Sequence, residues 1–194
     1  MIGNPFRREG GLLKTLNLWD WFKSLSPDRQ KDFKRAYSLK VVRDMRFPYK
    51  IQQLLQGNIE RTPYTKRTFL GTLAQASLLE GYYDTAQWIY KEALKMEGTA
   101  YEEHLILMDL LVLYRKQGRI EDIKQICKRD IELFPAYKEE LKRKNRGKLP
   151  FIPSFEIYIY ILEKEGKYKE AQDLRNYMCN EGIPQGDKLG EECK

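Results

Sequence analysis

Few side chains of this 194-residue chain have the types and spacing that catalysis requires. Its single histidine, His104, has no cluster of metal-ligating residues around it, and we expect it at the surface or half-buried. Cys127 has no His/Asp partner pattern, so we interpret it as a small core side chain and not as a nucleophile. These residues therefore predict no metal site and neither acid–base nor thiol catalysis.

Motifs that hold cofactors or phosphates are also missing. The sequence contains neither GxxxxGK[ST] nor GxGxxG. Neighbouring acids such as Glu102 and Glu103 point in different directions around a helix, so they do not form a catalytic pair of carboxylates. We therefore expect a non-enzymatic protein that needs no cofactor.

The net charge of +7 comes from the N-terminal part of the chain, because residues 62–194 contain equal numbers of basic and acidic side chains. A basic end is typical of proteins that bind polyanions, and ordinary solvated helices are the other interpretation. The longest apolar stretch, 105–114, is too short for a bilayer, so we expect no transmembrane segment. Three widely spaced cysteines without a CxxC pair favour a reducing compartment, and we expect a cytoplasmic protein.

Three glycines, Gly81, Gly118 and Gly166, each separate two helical patterns. A glycine directly after a helix caps it in the left-handed conformation at little energetic cost, and the chain then turns back. Bulky residues two positions later, such as Ile120, should fill the elbow, and the second helix of the middle hairpin should stop at Pro135. Residues 137–144 should then form a helix extension, with a loop at 145–150. The pattern predicts three helical hairpins.

The apolar run 155–162 also fits the alternation of a β-strand. We predict a helix, because Ser154 can cap it and the charged residues 163–165 continue it. The third hairpin then follows the template of the other two.

Several stretches of these hairpins resemble tetratricopeptide repeats. The matching segments are Glu80-Gly81-Tyr82-Tyr83-Asp84-Thr85-Ala86, Tyr90-Lys91-Glu92-Ala93-Leu94 and Glu165-Gly166-Lys167-Tyr168-Lys169-Glu170-Ala171. The segment 131–135 is similar to the proline-terminated end of such a repeat. The resemblance covers residues 66–184 and implies an all-α fold, a short right-handed α-α superhelix of tetratricopeptide-like hairpins whose first helices line a concave surface.

The chain is expected to have three parts. Residues 1–61 form a basic N-terminal helical segment that caps the stack, residues 62–184 form the three hairpins, and residues 185–194 form a polar tail. In the first part, the apolar residues from Leu12 to Phe22 are expected on one helical face, and Ser26-Pro27-Asp28 should begin a second helix. Trp19 belongs to the most aromatic stretch of the sequence. We interpret it as part of the cap; contact with a protein partner, self-association and contact with an anionic membrane are the alternatives.

A helical stack without catalytic residues is typical of a protein–protein or peptide-binding module. If the tetratricopeptide resemblance holds, the partner-binding residues lie on the first helices. They are Gln75, Leu79, Met108, Arg115 and Tyr160. Such a mixture of side chains suits a ligand with apolar anchors and a carboxylate that Arg115 holds.

The alternative function is nucleic-acid binding, to RNA or DNA. The basic N-terminal segment and the basic cluster at 138–148 would then contact phosphates. The stretch 178–184 also resembles the end of a pentatricopeptide RNA-binding repeat.

Overall fold

The computed structural model describes residues 10–186 of the chain. Regular secondary structure in this range is helical and no strand forms in it, which confirms the predicted all-α class. None of the described helices is long and apolar enough to cross a membrane. Of the predicted tail 185–194, residues 187–194 lie outside the described part of the chain, as do residues 1–9 of the basic segment.

The chain divides into two compact units, Met1–Gly98 and Thr99–Lys194. The helices of the first unit are α1 (Gly11–Thr15), α2 (Trp19–Ser24), α3 (Pro27–Arg43), α4 (Lys66–Leu79) and α5 (Tyr83–Lys95), with a 3₁₀ turn at Ile51–Leu54. Helices α4 and α5 pack together as the first predicted hairpin, and α3 lies against both of them. The first hairpin therefore shares one unit with the N-terminal helices, and the expected boundary after residue 61 falls inside that unit.

The N-terminal helices follow their local capping signals. Ser26 accepts a hydrogen bond from the backbone N–H of Arg29 at 3.3 Å, and Pro27 occupies the first turn of α3, as its sequence predicts. The single apolar face expected from Leu12 to Phe22 is instead divided between α1 and α2. Asn17 lies between these helices with a φ of 52°, a conformation that asparagine adopts more readily than most residues.

The aromatic stretch around Trp19 packs within the first unit. Trp21 meets the buried ring of Phe33 edge-on, with centroids 5.4 Å apart, and stacks on Trp88 at 6.4 Å. Its indole N–H donates to Glu92 at 3.2 Å. These contacts agree with the cap interpretation, and self-association through the Trp19 region stays a prediction.

The second unit contains the other two hairpins. Its helices are α6 (Ala100–Gln117), α7 (Ile120–Lys144), α8 (Pro153–Lys164) and α9 (Tyr168–Glu181). Gly118 caps α6 in the left-handed conformation with a φ of 67°, which confirms the predicted turn. Helix α6 packs on α7 and α8 packs on α9, while α8 also lies against both α6 and α7.

Pro135 does not stop the second helix of the middle hairpin, contrary to the prediction. Helix α7 continues through this proline to Lys144. An internal proline removes one backbone hydrogen bond and costs roughly 3 kcal/mol or more. Tyr137 and Leu141, which follow it, are buried in the core of the second unit. Burial of these large side chains offsets the cost of the proline.

The run 155–162 is helical, as predicted, although Ser154 does not cap it. Ile152 is the N-cap residue of α8, and Ser154 lies in the first turn. The Ser154 hydroxyl is fully buried and donates to Asp130 of α7. A contact distant in sequence has therefore replaced the expected local cap.

Candidate functional site

A groove of about 670 Å³ opens in the second unit, between α8 and the turn that joins α6 to α7. Its lining consists of Arg115, Gly118, Ile120, Ile123, Glu156, Ile157, Tyr160, Ile161, Lys164 and Glu165. Five of these residues are apolar or aromatic and form most of the surface. This volume lies in the range of sites that bind small ligands or the side chains of a peptide.

Helix α8 supplies one wall because both of its faces are apolar. Phe155, Ile159 and Leu162 point into the core and are nearly inaccessible to solvent. Ile157 and Tyr160 lie on the groove side, and the Tyr160 side chain is 59% exposed. The spacing of three or four residues within each set explains why the whole run reads as apolar.

The opposite wall begins at the turn after α6. Ile120 was expected to fill the elbow of the hairpin, but it is 59% exposed and lines the groove. Ile123, one turn further along α7, is buried and forms part of the floor. The expectation for Ile120 was wrong because Gly118 turns the chain so that the first residue of α7 projects outward.

The two carboxylates of the groove already have partners. Glu165 accepts hydrogen bonds from Lys124 and from Lys167, and these contacts lower the pKa of its carboxyl group. Glu156 accepts a hydrogen bond from the backbone N–H of Gly186. Both acids are therefore engaged within the chain.

The two cations of the groove are differently placed. The Lys164 ammonium lies over the Tyr160 ring, 5.3 Å from its centroid, and pairs with no carboxylate of residues 10–186. Arg115, in the last turn of α6, likewise forms no ion pair or hydrogen bond with the described residues. The groove thus combines an aliphatic floor with two cations that have no acidic partner within residues 10–186.

The structure places the predicted partner-binding residues in two separate units. Arg115 and Tyr160 line the groove described above. Met108 is half-buried on α6 and does not line it. Gln75 and Leu79 are exposed on α4 and belong to a smaller hollow of about 200 Å³ beside α3 in the first unit.

Sequence reasoning identified Arg115 and Tyr160 among the ten lining residues and missed the other eight, of which three lie on α8 close to Tyr160. Ile157 and Ile161 were assigned to a generally apolar helix, and no periodicity separates their face from the core face. Lys164 was treated only as a residue that continues the helix. A helical projection of residues 153–164 would have placed these side chains beside Tyr160.

A buried polar cluster lies at the start of α8, outside the groove lining. Asp130 is fully buried and accepts hydrogen bonds from Tyr137 at 3.2 Å and Ser154 at 2.5 Å. Nδ1 of His104 lies 2.7 Å from the second carboxylate oxygen of Asp130. His104 lies on α6, Tyr137 on α7 and Ser154 on α8. The Asp130 carboxylate therefore connects these three helices.

The prediction that His104 lies at the surface or half-buried is wrong. The residue is only 6% exposed, because its ring bonds Asp130 and stacks on Tyr137 with a centroid distance of 4.2 Å. Burial, followed by the charge of Asp130, raises the pKa of the Tyr137 hydroxyl. Ser154 bonds Asp130 and not His104, so the arrangement is not that of a catalytic triad.

Cys127 is a free, fully buried thiol, which agrees with its interpretation as a core side chain. Burial, with a further contribution from the charge of Asp130, raises its pKa to about 12. Cys179, in contrast, is disulfide-bonded. This bond weakens the cysteine spacing as an argument for a reducing compartment.

The basic cluster at 138–148 is largely paired within the chain. Lys138 bonds Glu181 at 3.0 Å, and Lys142 bonds Glu139 at the same distance. Residues 10–186 contain no group of three or more His, Cys, Asp or Glu side chains that could hold a metal ion. Nucleic-acid binding stays a prediction, and this cluster offers it few unpaired cations.

Comparison with known proteins identifies one relative over nearly the full length. An uncharacterized protein of Aquifex aeolicus (strain VF5) is 51% identical over 196 residues, which cover 98% of this chain and 97% of that protein. No protein-family model matches the chain. No solved structure matches it either.

Proposed function

This chain belongs to one family with the uncharacterized protein of Aquifex aeolicus, and we propose that it is a non-enzymatic, cytoplasmic module that binds a peptide segment of a protein partner. The binding surface is the groove between α8 and the α6–α7 turn. The remainder of the second unit serves to hold the two walls of this groove in place.

The tetratricopeptide-like superhelix is part of the same proposal. Helix α8, the first helix of the third hairpin, lies against both helices of the second hairpin. A stack of helical hairpins requires contact of this kind between neighbours. Within the second unit the groove is lined by α8 and by the last turn of α6, which are the first helices of their hairpins, and also by the start of α7.

The observation that carries the proposal is the exposure of large apolar side chains inside a concave surface. Tyr160 and Ile120 are each 59% exposed and face the same groove. Contiguous exposed apolar patches are uncommon on proteins that bind nothing and mark interaction sites. Tyrosine is also among the residues that contribute most to binding energy at protein interfaces.

The test compares two tyrosines of α8 and α9. Peptides are first selected from a random display library on the purified protein, and their affinities are then measured by fluorescence anisotropy. Tyr160→Ser should weaken binding by about 30-fold, because a central interface residue contributes about 2 kcal/mol. Tyr168→Ser is the matched control, since Tyr168 is 70% exposed and lies outside the groove.

The control separates loss of a binding residue from loss of folding. Circular dichroism should show that both variants keep the helix content of the unchanged protein. Equal affinities of the Tyr160 and Tyr168 variants would contradict the proposal, as would a library that yields no binding peptide.

A further inference from the structure

We infer that the segment bound in the groove is acidic, with an aliphatic or aromatic anchor on the isoleucine floor and carboxylates held by Arg115 and Lys164. This inference rests on the proposed peptide-binding function and adds the chemistry of the partner. It follows from the distribution of paired and unpaired charges around the groove.

Both acids of the groove already have partners within the chain, unlike its two cations in the described part of the chain. The carboxylates of Glu156 and Glu165 accept hydrogen bonds from Gly186, and from Lys124 and Lys167, respectively. Neither acid neutralises Arg115 or Lys164 by an ion pair in the described part of the chain. Among the described residues, Glu165 is therefore paired with two lysines and Glu156 accepts a backbone hydrogen bond, whereas Arg115 and Lys164 have donor groups that no carboxylate uses.

The side chains of Arg115 and Lys164 have N–H donor groups that can bind a carboxylate. Arg115 lies in the last turn of α6 and Lys164 in the last turn of α8. The negative ends of the helix dipoles favour cations at these positions, but they leave the donor groups of the side chains unused. A guanidinium has five N–H donors whose geometry matches a carboxylate, and an ammonium has three.

The aliphatic side chains of the groove favour an acidic peptide over a nucleic acid as its ligand. Ile120, Ile157 and Ile161 give the groove an aliphatic surface, which suits a leucine-like or aromatic side chain. Binding of single-stranded nucleic acid normally uses several aromatic rings on which successive bases stack. Tyr160 is the one aromatic ring in the lining, and Lys164 lies over it.

The experiment uses the full chain and synthetic peptide pools of defined composition. Each pool has a fixed leucine, and the four positions that follow it are all glutamate, all glutamine or all lysine. Fluorescence anisotropy at low salt should show the glutamate pool binding about tenfold more tightly than the glutamine pool, since each 1.4 kcal/mol of charge-assisted hydrogen bonding is a factor of ten. The lysine pool should bind least well.

Variants assign the preference to the two cations. The double variant Arg115→Gln, Lys164→Gln should bind the glutamate and glutamine pools equally, because both cations that favour glutamate are removed. It should still bind both pools, because the site for the leucine anchor is intact. Lys169→Gln is the control, since Lys169 is exposed on α9 and lies outside the groove. It should retain the tenfold preference of the unchanged protein.

The outcomes distinguish this inference from the proposed function. Equal binding of the glutamate and glutamine pools to the unchanged protein would overturn the inference alone. Binding of a single-stranded oligo-dT that is lost in the double variant would also overturn it, in favour of a nucleic acid. If no pool binds better to the unchanged protein than to the Tyr160→Ser variant, the inference and the proposed function both fail.

Discussion

Replacement of Asp130 by alanine should be one of the most destabilising single changes in the second unit. The carboxylate is fully buried and accepts from Tyr137 and Ser154, with His104 Nδ1 at 2.7 Å. Alanine removes both oxygens and leaves three polar groups buried without their partner. The change also creates a cavity where α6, α7 and α8 meet.

The size of the effect follows from the groups that lose a partner. An unsatisfied buried polar group costs about 1–3 kcal/mol, so three of them cost at least about 3 kcal/mol. The cavity that the missing carboxylate leaves adds to this cost. We therefore expect a loss of about 3–5 kcal/mol, which corresponds to a decrease in Tm of about 6–20 °C for a chain of this size.

The assay follows the unfolding of each compact unit with a spectroscopic probe that lies in that unit alone. All three tryptophans, Trp19, Trp21 and Trp88, belong to the first unit, whereas the single histidine, His104, belongs to the second. Urea unfolding is followed by far-ultraviolet circular dichroism and by tryptophan fluorescence. The imidazole NMR signals of His104 then report directly on the second unit.

The reference variant is Asp173→Ala, which alters an exposed aspartate of α9. Its unfolding midpoint should remain close to that of the unchanged protein. The urea midpoint of Asp130→Asn should lie between those of Asp130→Ala and Asp173→Ala. The amide keeps one acceptor oxygen but turns an N–H₂ group toward a donor. The reasoning is refuted if Asp130→Ala unfolds at the same urea concentration as Asp173→Ala.

Two further predictions follow from pKa shifts. Burial, followed by the charge of Asp130, raises the pKa of the Cys127 thiol to about 12, so this thiol should not react with iodoacetamide in mildly alkaline buffer until urea unfolds the protein. Mass spectrometry of the peptide that contains Cys127 measures the labelling. Rapid labelling of the folded protein would contradict the prediction. Hydrogen bonds from Lys124 and Lys167 lower the pKa of the Glu165 carboxyl group in the folded protein. Glu165 therefore stabilises the fold at pH values above its ordinary pKa of 4.5, and this stabilisation is lost as the pH falls through the lower pKa of the folded state. Glu165→Gln should therefore lower the urea midpoint at neutral pH and leave it unchanged in strong acid, and an equal decrease at both would be inconsistent with this origin.

Features set by neighbouring residues could be predicted from the sequence. The start of α3 depends on Ser26 and Pro27, which act within one helical turn. The turn at Gly118 depends on the conformational freedom of one residue. Such signals do not require knowledge of the rest of the chain, and the structure confirms both.

Features that depend on distant residues could not be predicted in this way. The helix at 137–144 could be predicted, but its continuity with α7 through Pro135 depends on the burial of Tyr137 and Leu141 in the core. His104 appeared isolated because its partner, Asp130, is 26 residues away in sequence.

The candidate groove was only partly predictable because α8 has two apolar faces with different roles. Phe155 and Ile159 hold the helix in the core, while Ile157 and Tyr160 line the groove. A sequence alone does not show which face a neighbouring helix covers. In the structure the choice is made by the contacts of α8 with α6 and α7, where Ser154 bonds Asp130. The polar cluster at the start of α8 thus helps to determine which apolar face of that helix lies in the core and which lines the groove.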